Sequence, residues 1–387
     1  MTQILISGAG LAGPALAYWL HRHGCTVTVV ERAPRLRTGG YKVDVRGAGV
    51  EVLKRMGVYG QAAAADTGMR HVTYVNPAGR PVAVLDANLL MGRRGDDIEV
   101  MRTDLTGILH AATASDVEYV FGDAITGLTD GADGVDVTFE RGAPRRFDLV
   151  IGADGLHSAT RRLAFGDVPL THLGAYIGFC TVPNHLGLDH EEVFWTRPGR
   201  TIFLYASAPD APARAGLAFA SPVLPRGRAG ARELVAQRYA GDGWEVPRIL
   251  DAVRGSDDFY FDSMSQVELP SWSAGRVALA GDAAHCPSPA SGQGTSLALV
   301  GAYVLAEELS RAGHRTAFAA YERRMRPYVA KNLAFGRRMA GDMVPGSRFA
   351  ITVRNYGMRT LKYNPRREQL MDRVLGPMLE AANAIAI

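Results

Sequence analysis

Two kinds of apolar pattern run along this chain, and together they predict an α/β fold with two different sheets. Short uninterrupted apolar runs at 3–7 and 26–30 are typical of strands buried on both faces, and the residues between them have helical spacing. Later runs alternate apolar and polar positions between glycine and proline breaks, which predicts a mixed or antiparallel sheet. These later runs are 70–75, 80–85, 174–182, 192–196, 201–207, 215–220 and 259–268, and the chain is predicted to be helical from 315 onward.

Composition narrows the class of protein. Of the 387 residues, 47% are hydrophobic and 21% charged, which excludes a disordered chain and a disulfide mini-protein. The 44 glycines exceed average usage without any repeat period, so many backbone positions are expected to need special conformations. Basic and acidic residues number 43 and 39 and are interspersed, which argues against a nucleic-acid partner.

Cysteines and apolar stretches indicate a protein of the cytoplasm. Cys25, Cys180 and Cys286 are far apart, odd in number and without metal-ligand spacing, so reduced buried thiols are expected. The uncharged stretch 4–20 lacks the basic start of a signal peptide and carries regularly spaced glycines. No other stretch approaches the ~20 apolar residues of a membrane span, so no membrane partner is expected.

A glycine-rich turn follows the first predicted strand in the context that binds dinucleotides. Gly8, Gly10 and Gly13 lead into a helix, and Glu31 ends the next strand. Glycines let the backbone approach a pyrophosphate, and free amides at the helix start favour an anion. Glu31 is expected to accept hydrogen bonds from a ribose diol. The pattern predicts one dinucleotide site and leaves NAD and FAD both open.

Two later strands also end in acid and glycine. The segment 148–155 predicts a buried strand ending at Asp154 and Gly155, then a helix capped by Ser158. A strand-turn-helix without any ligand explains that segment equally well. The segment 275–294 predicts a strand ending at Asp282, a proline-bearing loop and a helix opened by Gly-Gln-Gly. That helix start suits a polar or anionic group, and Asp282 suits a sugar or polyol hydroxyl.

In order and spacing, the three motifs resemble those of the class A flavoprotein monooxygenases, the para-hydroxybenzoate hydroxylase type. Within that class the chain looks most like the tetracycline-inactivating and polyketide-tailoring hydroxylases, over residues 1 to about 335. The resemblance implies a Rossmann-like FAD-binding domain interleaved with a mixed β-sheet substrate domain, plus C-terminal helices. The corresponding segments are 1–69, 97–170 and 270–314 for FAD, 70–96 and 171–269 for substrate, and 315–387 for the helices.

The resemblance also assigns residues to the cofactor. The ADP half of FAD would lie on the glycine turn, Asp282 would bind the ribityl chain, and the amides of 292–296 would face the pyrimidine end of the isoalloxazine. The segment 39–44 resembles the family's GGxxxD loop, and 99–105 resembles its RxxL helix start. The implied FAD-binding residues are Gly8, Gly10, Leu11, Ala12, Gly13, Glu31, Arg32, Asp44, Arg102, Asp154, Gly155, Gly281, Asp282, Gly292, Gly294, Thr295 and Ser296.

Four positions depart from the family pattern. Ser288 replaces the first of two paired prolines, and Ser291 replaces a glycine. Ser296 stands where asparagine is common, and Gly301 stands at a later aspartate position. These differences concern the geometry beside the oxygen-reacting face of the flavin.

By resemblance, the reaction is a hydroxylation through a flavin C4a-hydroperoxide. NADPH or NADH would bind transiently, O₂ would react next, and an aromatic or polyketide-like substrate would lie under the sheet. The pocket candidates are Phe179, Phe203, Tyr205, Phe219 and Pro289, although each aromatic residue suits a plain core equally well. A flavin reductase or dehydrogenase and a non-redox FAD-containing binder remain alternatives. Either a monomer or a homodimer is expected.

No catalytic side chain is assigned, because the sequence offers no Ser-His-Asp set, metal cluster or carboxylate pair near a plausible site. The Pro289 carbonyl is one candidate for the oxygen-reacting side. His285 is the other, although a histidine after Gly-Asp-Ala-Ala is more typical of a strand end satisfied by backbone. The tail 349–387 is basic and then amphipathic. It is expected to pack on the surface, with a pocket cover or a subunit contact as alternatives.

Overall fold

A computed structural model describes residues 1–37, 39–224, 230–361 and 363–387, which form eighteen strands and thirteen α-helices. The strands are β1 (Gln3–Ser7), β2 (Thr26–Glu31), β3 (Lys42–Val45), β4 (His71–Val75), β5 (Pro81–Asp86), β6 (Ile98–Met101), β7 (Glu118–Phe121), β8 (Ile125–Asp130), β9 (Val135–Phe139), β10 (Arg145–Phe147), β11 (Leu149–Gly152), β12 (Thr171–Val182), β13 (Glu191–Arg197), β14 (Arg200–Ala206), β15 (Ala213–Ala220), β16 (Tyr260–Gln266), β17 (Ser273–Ala274) and β18 (Val277–Leu279). The α-helices are α1 (Ala12–Arg22), α2 (Ala48–Arg55), α3 (Tyr59–Ala64), α4 (Ala87–Met91), α5 (Arg102–Ala111), α6 (Ala159–Phe165), α7 (Ala231–Arg238), α8 (Val246–Gly255), α9 (Asp282–His285), α10 (Gly294–Arg311), α11 (His314–Met343), α12 (Arg348–Leu361) and α13 (Arg367–Ala382).

The six-stranded sheet brings the three sequence motifs to one edge. Its strand order is β17-β18-β11-β1-β2-β7, and all pairs except β17–β18 are parallel. The apolar runs of β1, β2 and β11 are buried on both faces, as parallel strands require. Ile4 packs with the helices α1 and α10, whereas Leu5 packs with the three-stranded sheet β10-β9-β8. Because the strands are parallel, their carboxyl ends share one edge.

The seven-stranded sheet has two apolar faces with different neighbours. Its order is β16-β12-β15-β14-β13-β4-β5, antiparallel except for the β13–β4 pair. Alternate residues point to opposite faces, so Val193 and Trp195 lie on the face covered by α7 and α8. Phe194 lies on the other face, which packs against α12.

A two-stranded sheet and the C-terminal helices pack beside the two large sheets. β3 pairs with β6 in a separate two-stranded sheet, and α11 packs against α10 and against the 3₁₀ helix Pro289–Ser291. α11 runs through Pro327 without a break, α12 contacts β5 and β13, and α13 contacts α11 and α4. The tail therefore packs partly on the seven-stranded sheet.

The predicted α/β class with a mixed second sheet is confirmed. All seven alternating runs predicted from the sequence lie in one sheet. The first difference is that β12 begins at Thr171, three residues before the predicted start. The second is that residues 282–285 form a short helix rather than a loop, because Gly281 at φ +58° turns the chain and its carbonyl accepts the N–H groups of Ala284 and His285, both at 3.0 Å.

Candidate active site

The glycine turn after β1 closes so tightly that a Cβ does not fit at two of its positions. Gly8 has φ +107°, and a Cβ there would lie 2.6 Å from the Ala153 carbonyl oxygen. A Cβ on Gly13 would lie 1.9 Å from the carbonyl oxygen of Gly8. Leu11, at the N-cap of α1, has no side-chain acceptor to offer. The first-turn amides of α1, beginning at Ala12, are therefore available to an anion.

Glu31 and Arg102 lie on opposite sides of this turn. The Glu31 carboxylate accepts the N–H groups of Ala9 and Ala33, each at 2.9 Å. Arg102 begins α5, and its Nη2 would be 3.6 Å from a Cβ on Gly10. Arg32, which follows β2, is exposed. An acid and a guanidinium thus flank the backbone that would meet a diphosphate.

In the middle motif, the Asp154 carboxylate is hydrogen-bonded to residues that follow it in the chain. The Asp154 carboxylate accepts the backbone N–H of Thr160 at 2.9 Å, its hydroxyl at 3.0 Å, and the hydroxyl of Ser158. Ser158 in turn caps α6 through the N–H of Arg161. Asp154 therefore fixes a helix start, while Gly155, at φ +82°, has open space where a Cβ would stand.

A buried arginine ties the middle motif to the third. Arg161 is 5% exposed and donates to the carbonyl oxygens of Ala283 at 2.9 Å and Leu156 at 2.7 Å. Burial lowers the pKa of this guanidinium, against the opposing charge of Asp154. The two strand-end motifs are therefore held together by side chain to backbone contacts.

Asp282 stands where the first and third motifs meet the start of α10. A Cβ on Gly281 would lie 2.9 Å from the Cβ of Ala12, which shows how closely the two motifs approach. The Asp282 Oδ1 is 3.8 Å from the Cβ position of Gly294. Burial raises the pKa of the Asp282 carboxyl, and the Arg102 guanidinium opposes this rise.

The N-terminus of α10 contains a buried amide group whose partners are missing within the described ranges. Gln293, at the N-cap, is 0% exposed, and neither Nε2 nor Oε1 has a hydrogen-bond partner among the described residues. Gly292 has φ +62°, and Thr295 is buried. An unsatisfied buried amide costs about 1–3 kcal/mol, so this amide is expected to pair with a bound polar group.

Asp44 lies in β3, and Arg46 just after this strand contacts the same helix start. The Asp44 carboxylate lies 3.0 Å from Arg46 Nη2, and its Oδ1 has no hydrogen-bond partner among the described residues. The backbone N–H of Arg46 donates to the Ser296 hydroxyl at 3.0 Å. Arg46 therefore connects Asp44 to Ser296 at the start of α10.

Aromatic side chains line the facing surface of the seven-stranded sheet. Tyr41 stacks on Phe179 with ring centroids 4.4 Å apart, and Phe203 meets Phe179 edge-on at 5.7 Å. Ala290 of the 3₁₀ helix belongs to the same apolar cluster, and Pro289 beside it is half-buried. Phe179, Phe203 and Pro289 thus border one region.

The two other predicted pocket residues lie on opposite faces of the sheet, Tyr205 with Phe203 and Phe219 with Leu217. Tyr205 is 2% exposed, and its hydroxyl accepts the backbone N–H of Lys42 at 2.9 Å. Phe219 points to the face opposite Phe203 and packs against Tyr239 of the helical layer, as the core alternative for this residue predicts. Strand alternation places Phe219 with Leu217 and Ala215 on that face.

His285 has neither the position of a base nor the predicted strand-end contacts. It is 1% exposed, lies in α9, stacks near Trp272 and places Nε2 3.2 Å from the Tyr321 hydroxyl. Burial lowers its pKa to about 4, so the ring is neutral. A histidine enclosed by the core has no route to a substrate proton.

Sequence reasoning missed Tyr41 and Gln293, although both lie inside quoted motifs. An aromatic residue between the paired glycines and Lys42, and an amide between two glycines, were the available signals. In the described part of the chain, no three His, Cys, Asp or Glu side chains are grouped as metal ligands would be. A separate search of those same residues finds no helix long and apolar enough to cross a membrane.

Comparisons with known proteins agree with this geometry. A family model described as FAD binding domain matches residues 1–172 and 259–339. A flavin-dependent monooxygenase from an unknown prokaryotic organism is 42% identical over 340 residues, which are 86% of this chain and 88% of the relative.

Solved structures give the same result. The crystal structure of tetracycline destructase Tet(51) superposes with a TM-score of 0.88 at 34% identity, covering 100% of this chain and 99% of its own. Tetracycline destructase Tet(55) gives 0.86 at 38% identity, covering 100% and 98%. These matches show that the chain belongs to the FAD-binding family of class A flavin-dependent monooxygenases.

Proposed function

We propose that this monooxygenase uses NADPH or NADH and O₂ to hydroxylate an aromatic or polyketide-like small molecule. The observation that carries the proposal is the fully buried Gln293 amide at the start of α10, which has no hydrogen-bond partner among the described residues and precedes Gly294, whose Cβ position lies 3.8 Å from Asp282 Oδ1. Such an arrangement suits a flat, polar-edged group. FAD, when bound, supplies the redox and oxygen-activating chemistry.

The residues around the parallel sheet edge fit FAD in extended form. The amides at Leu11, Ala12 and Gly13 would hold the diphosphate, with Glu31 toward the ribose and Arg32 toward the adenosine. Asp282 would accept from the ribityl chain, and Gly281 gives the backbone room to turn toward it. Gly8, Gly10, Asp44, Arg102, Gly155, Gly292, Gly294, Thr295 and Ser296 complete the proposed cradle.

Three chain features act on the cofactor without any acid–base side chain. The N-terminal amides of α10 favour negative charge at the pyrimidine end. Arg102 adds a positive charge close to Asp282. Asp154 is proposed to act indirectly, by fixing α6 and therefore Arg161 against Ala283.

The substrate is proposed to lie between the 3₁₀ helix and the facing surface of the seven-stranded sheet. Phe179 and Phe203 supply an apolar aromatic wall. Pro289, next to Ala290 of the same cluster, is proposed to border the opposite side. Segments 70–96 and 171–269 are proposed as the substrate-binding domain, around a cofactor domain of 1–69, 97–170 and 270–314. The relatives named tetracycline destructases favour a fused-ring polyketide as substrate.

The test measures three quantities with the purified protein: its FAD content, its rate of NADPH or NADH oxidation, and the incorporation of oxygen into the product. NADPH and NADH oxidation are followed with and without tetracycline and a panel of aromatic polyketides under ¹⁸O₂. The expected result is bound FAD, ligand-stimulated oxidation of one nicotinamide, and a product that gains one ¹⁸O atom. Asp282→Asn should weaken FAD binding at least about tenfold, a loss of about 1.4 kcal/mol. The exposed Asp251→Asn is the matched control.

Other outcomes select the alternatives. Turnover without ¹⁸O incorporation indicates a flavin reductase or dehydrogenase. Bound FAD with no nicotinamide oxidation under any ligand indicates a non-redox binder. Unchanged FAD affinity in Asp282→Asn would refute the ribityl assignment while leaving the reaction class in place.

A further inference from the structure

Six charged side chains form a continuous buried series that runs from the seven-stranded sheet to β3, which contains Asp44. Lys42 Nζ lies 2.9 Å from Glu192 Oε2 and 3.0 Å from Glu99 Oε2. Glu99 lies 3.6 Å from Arg93 Nη1, and Arg93 lies 4.0 Å from Asp44. The series ends at Arg46, 3.0 Å from Asp44, and its side chains are at most 18% exposed.

Charges in this series balance, three positive and three negative, with Lys42 between two carboxylates. Burial raises the pKa of Glu192, and Lys42 opposes that rise. Burial also tends to raise the pKa of Glu99, but the positive charges of Lys42 and Arg93 outweigh burial, so the pKa is lowered. Removal of one member therefore leaves an uncompensated buried charge, which is a larger loss than replacement of a pair.

Backbone hydrogen bonds do not explain how β3 is held against the larger sheet. β3 pairs with β6 in a two-stranded sheet of its own. Lys42 links it to the seven-stranded sheet, next to the stack of Tyr41 on Phe179 just before the strand. The Lys42 backbone N–H donates to the Tyr205 hydroxyl at 2.9 Å, the ammonium lies 4.9 Å above the Tyr205 ring, and Glu192 accepts from it.

Glycines with positive φ bracket this strand. Gly39 and Gly40 precede it at φ +79° and +133°, and Gly47 follows it at +50°. Glycine adopts these backbone conformations without the strain that a side chain would add. The strand contains Asp44. Arg46, two residues later, donates its backbone N–H to the Ser296 hydroxyl at the start of α10. The position of the strand therefore sets the distance between the substrate face and the proposed cofactor surface.

We propose that Lys42 is a positioning residue that fixes the β3 segment, and with it Asp44 and Arg46, at a set distance from the substrate sheet. It acts through Glu192 and Tyr205 on one side and through Glu99 on the other. This proposal rests on the assignment of Asp44 to the cofactor site. Lys42 itself contacts neither cofactor nor substrate in this account.

The experiment compares Lys42→Met, Glu192→Gln and the double variant with wild-type protein. The double variant removes the charged pair together, so its fold should be retained while the tether is lost. Hydrogen exchange of residues 42–45 in FAD-free protein should be at least about tenfold faster in the double variant. The Kd for FAD should rise at least about tenfold, with a shift in the visible flavin spectrum.

Two controls separate positioning from general stability. Lys54→Met removes an exposed lysine that pairs with Asp96 and should change neither readout. Ile202→Val removes one buried methyl group from the opposite face of the sheet, so it should lower stability while leaving FAD affinity and exchange at 42–45 unchanged.

Each outcome is decisive for Lys42. Unchanged exchange at 42–45 in the double variant overturns the proposal, whatever FAD does. Failure of the double variant to fold also overturns it, because the pair would then support the whole fold rather than one segment. Faster exchange with unchanged FAD affinity would refute the assignment of Asp44, while the tether itself would stand.

Discussion

The two large sheets present their candidate ligand surfaces in different ways. The parallel sheet does so at its strand ends, where backbone from Gly8, Gly281 and Gly294 comes close to Asp282 and α1. The antiparallel sheet does so through one of its faces, where Phe179 and Phe203 project together. A surface built from backbone depends on the absence of side chains, whereas a surface built from a strand face depends on which side chains alternate there.

The largest effect on FAD affinity is expected where a single Cβ enters the backbone-built surface. Gly13→Ala places a Cβ 1.9 Å from the Gly8 carbonyl oxygen, so α1 or the turn must move. FAD affinity should fall at least about 100-fold, equivalent to about 2.7 kcal/mol. Titration of the apo-protein with FAD measures it.

Gly107→Ala makes the same chemical change inside α5, where a Cβ would meet nothing within 4 Å. This control should gain up to about 1 kcal/mol of helix stability and keep full FAD affinity. Equal FAD affinity in the two variants would show that the turn does not contact the cofactor.

Two phenylalanines on opposite faces of the seven-stranded sheet test the face-built surface. Phe219→Ala should cost about 3–5 kcal/mol of unfolding free energy without changing KM for the substrate, because Phe219 packs against Tyr239. Phe179→Ala should raise KM about tenfold in addition to its loss of stability. Urea unfolding and initial rates measure the two quantities. A KM change confined to Phe219→Ala would invert the proposed placement of the substrate.

The same difference explains what could be predicted from sequence. Strand ends and glycine turns are local in sequence, so the Gly8–Gly13 turn and the strand ending near Asp282 were recognisable as motifs. The facing of Phe219 depends on the pairing of Phe219 with Tyr176 and Arg200 across β12 and β14. The charged series through Lys42, Glu99 and Glu192 depends on contacts 57 to 150 residues apart, which no local pattern encodes.

The enclosure of His285 depends on distant contacts in the same way. Its neighbours Trp272 and Tyr321 come from other parts of the chain, so its enclosure was not visible in the segment around it. The residue is therefore better tested as a determinant of stability than as a base.

Protonation of His285 should make stability depend on pH. Its pKa is lowered to about 4 by burial, below the ordinary value near 6.5. Between these values the unfolded chain binds a proton that the folded chain does not, so stability falls as pH falls through this window. The contribution is at most about 3 kcal/mol, fully present above pH ~6.5 and lost below pH ~4. Urea unfolding at pH 7, 5.5 and 4 should show a smaller decline for His285→Gln than for wild type.

The control for this pH dependence is His71→Gln, on an exposed position of β4. It should keep the wild-type decline, because this imidazole is exposed to solvent in the folded as well as in the unfolded chain. If His285→Gln also declines like wild type, the ring is not shielded from protonation in the folded protein.

Substitution of Gln293 tests whether the start of α10 is a cofactor surface or ordinary core, because only in the first case should stability and FAD affinity change in opposite directions. In FAD-free protein, Gln293→Met replaces a buried amide that has no partner among the described residues with an apolar chain of similar size. Its unfolding free energy should therefore stay equal or rise by about 1 kcal/mol. The Kd for FAD should instead increase about five- to tenfold, because the amide would no longer pair with the cofactor. Stability and affinity thus move in opposite directions, which a core residue such as Phe219 does not allow. A loss of apo-protein stability would mean that the amide already has a partner within the fold, and unchanged FAD affinity would mean that the start of α10 faces something other than the flavin.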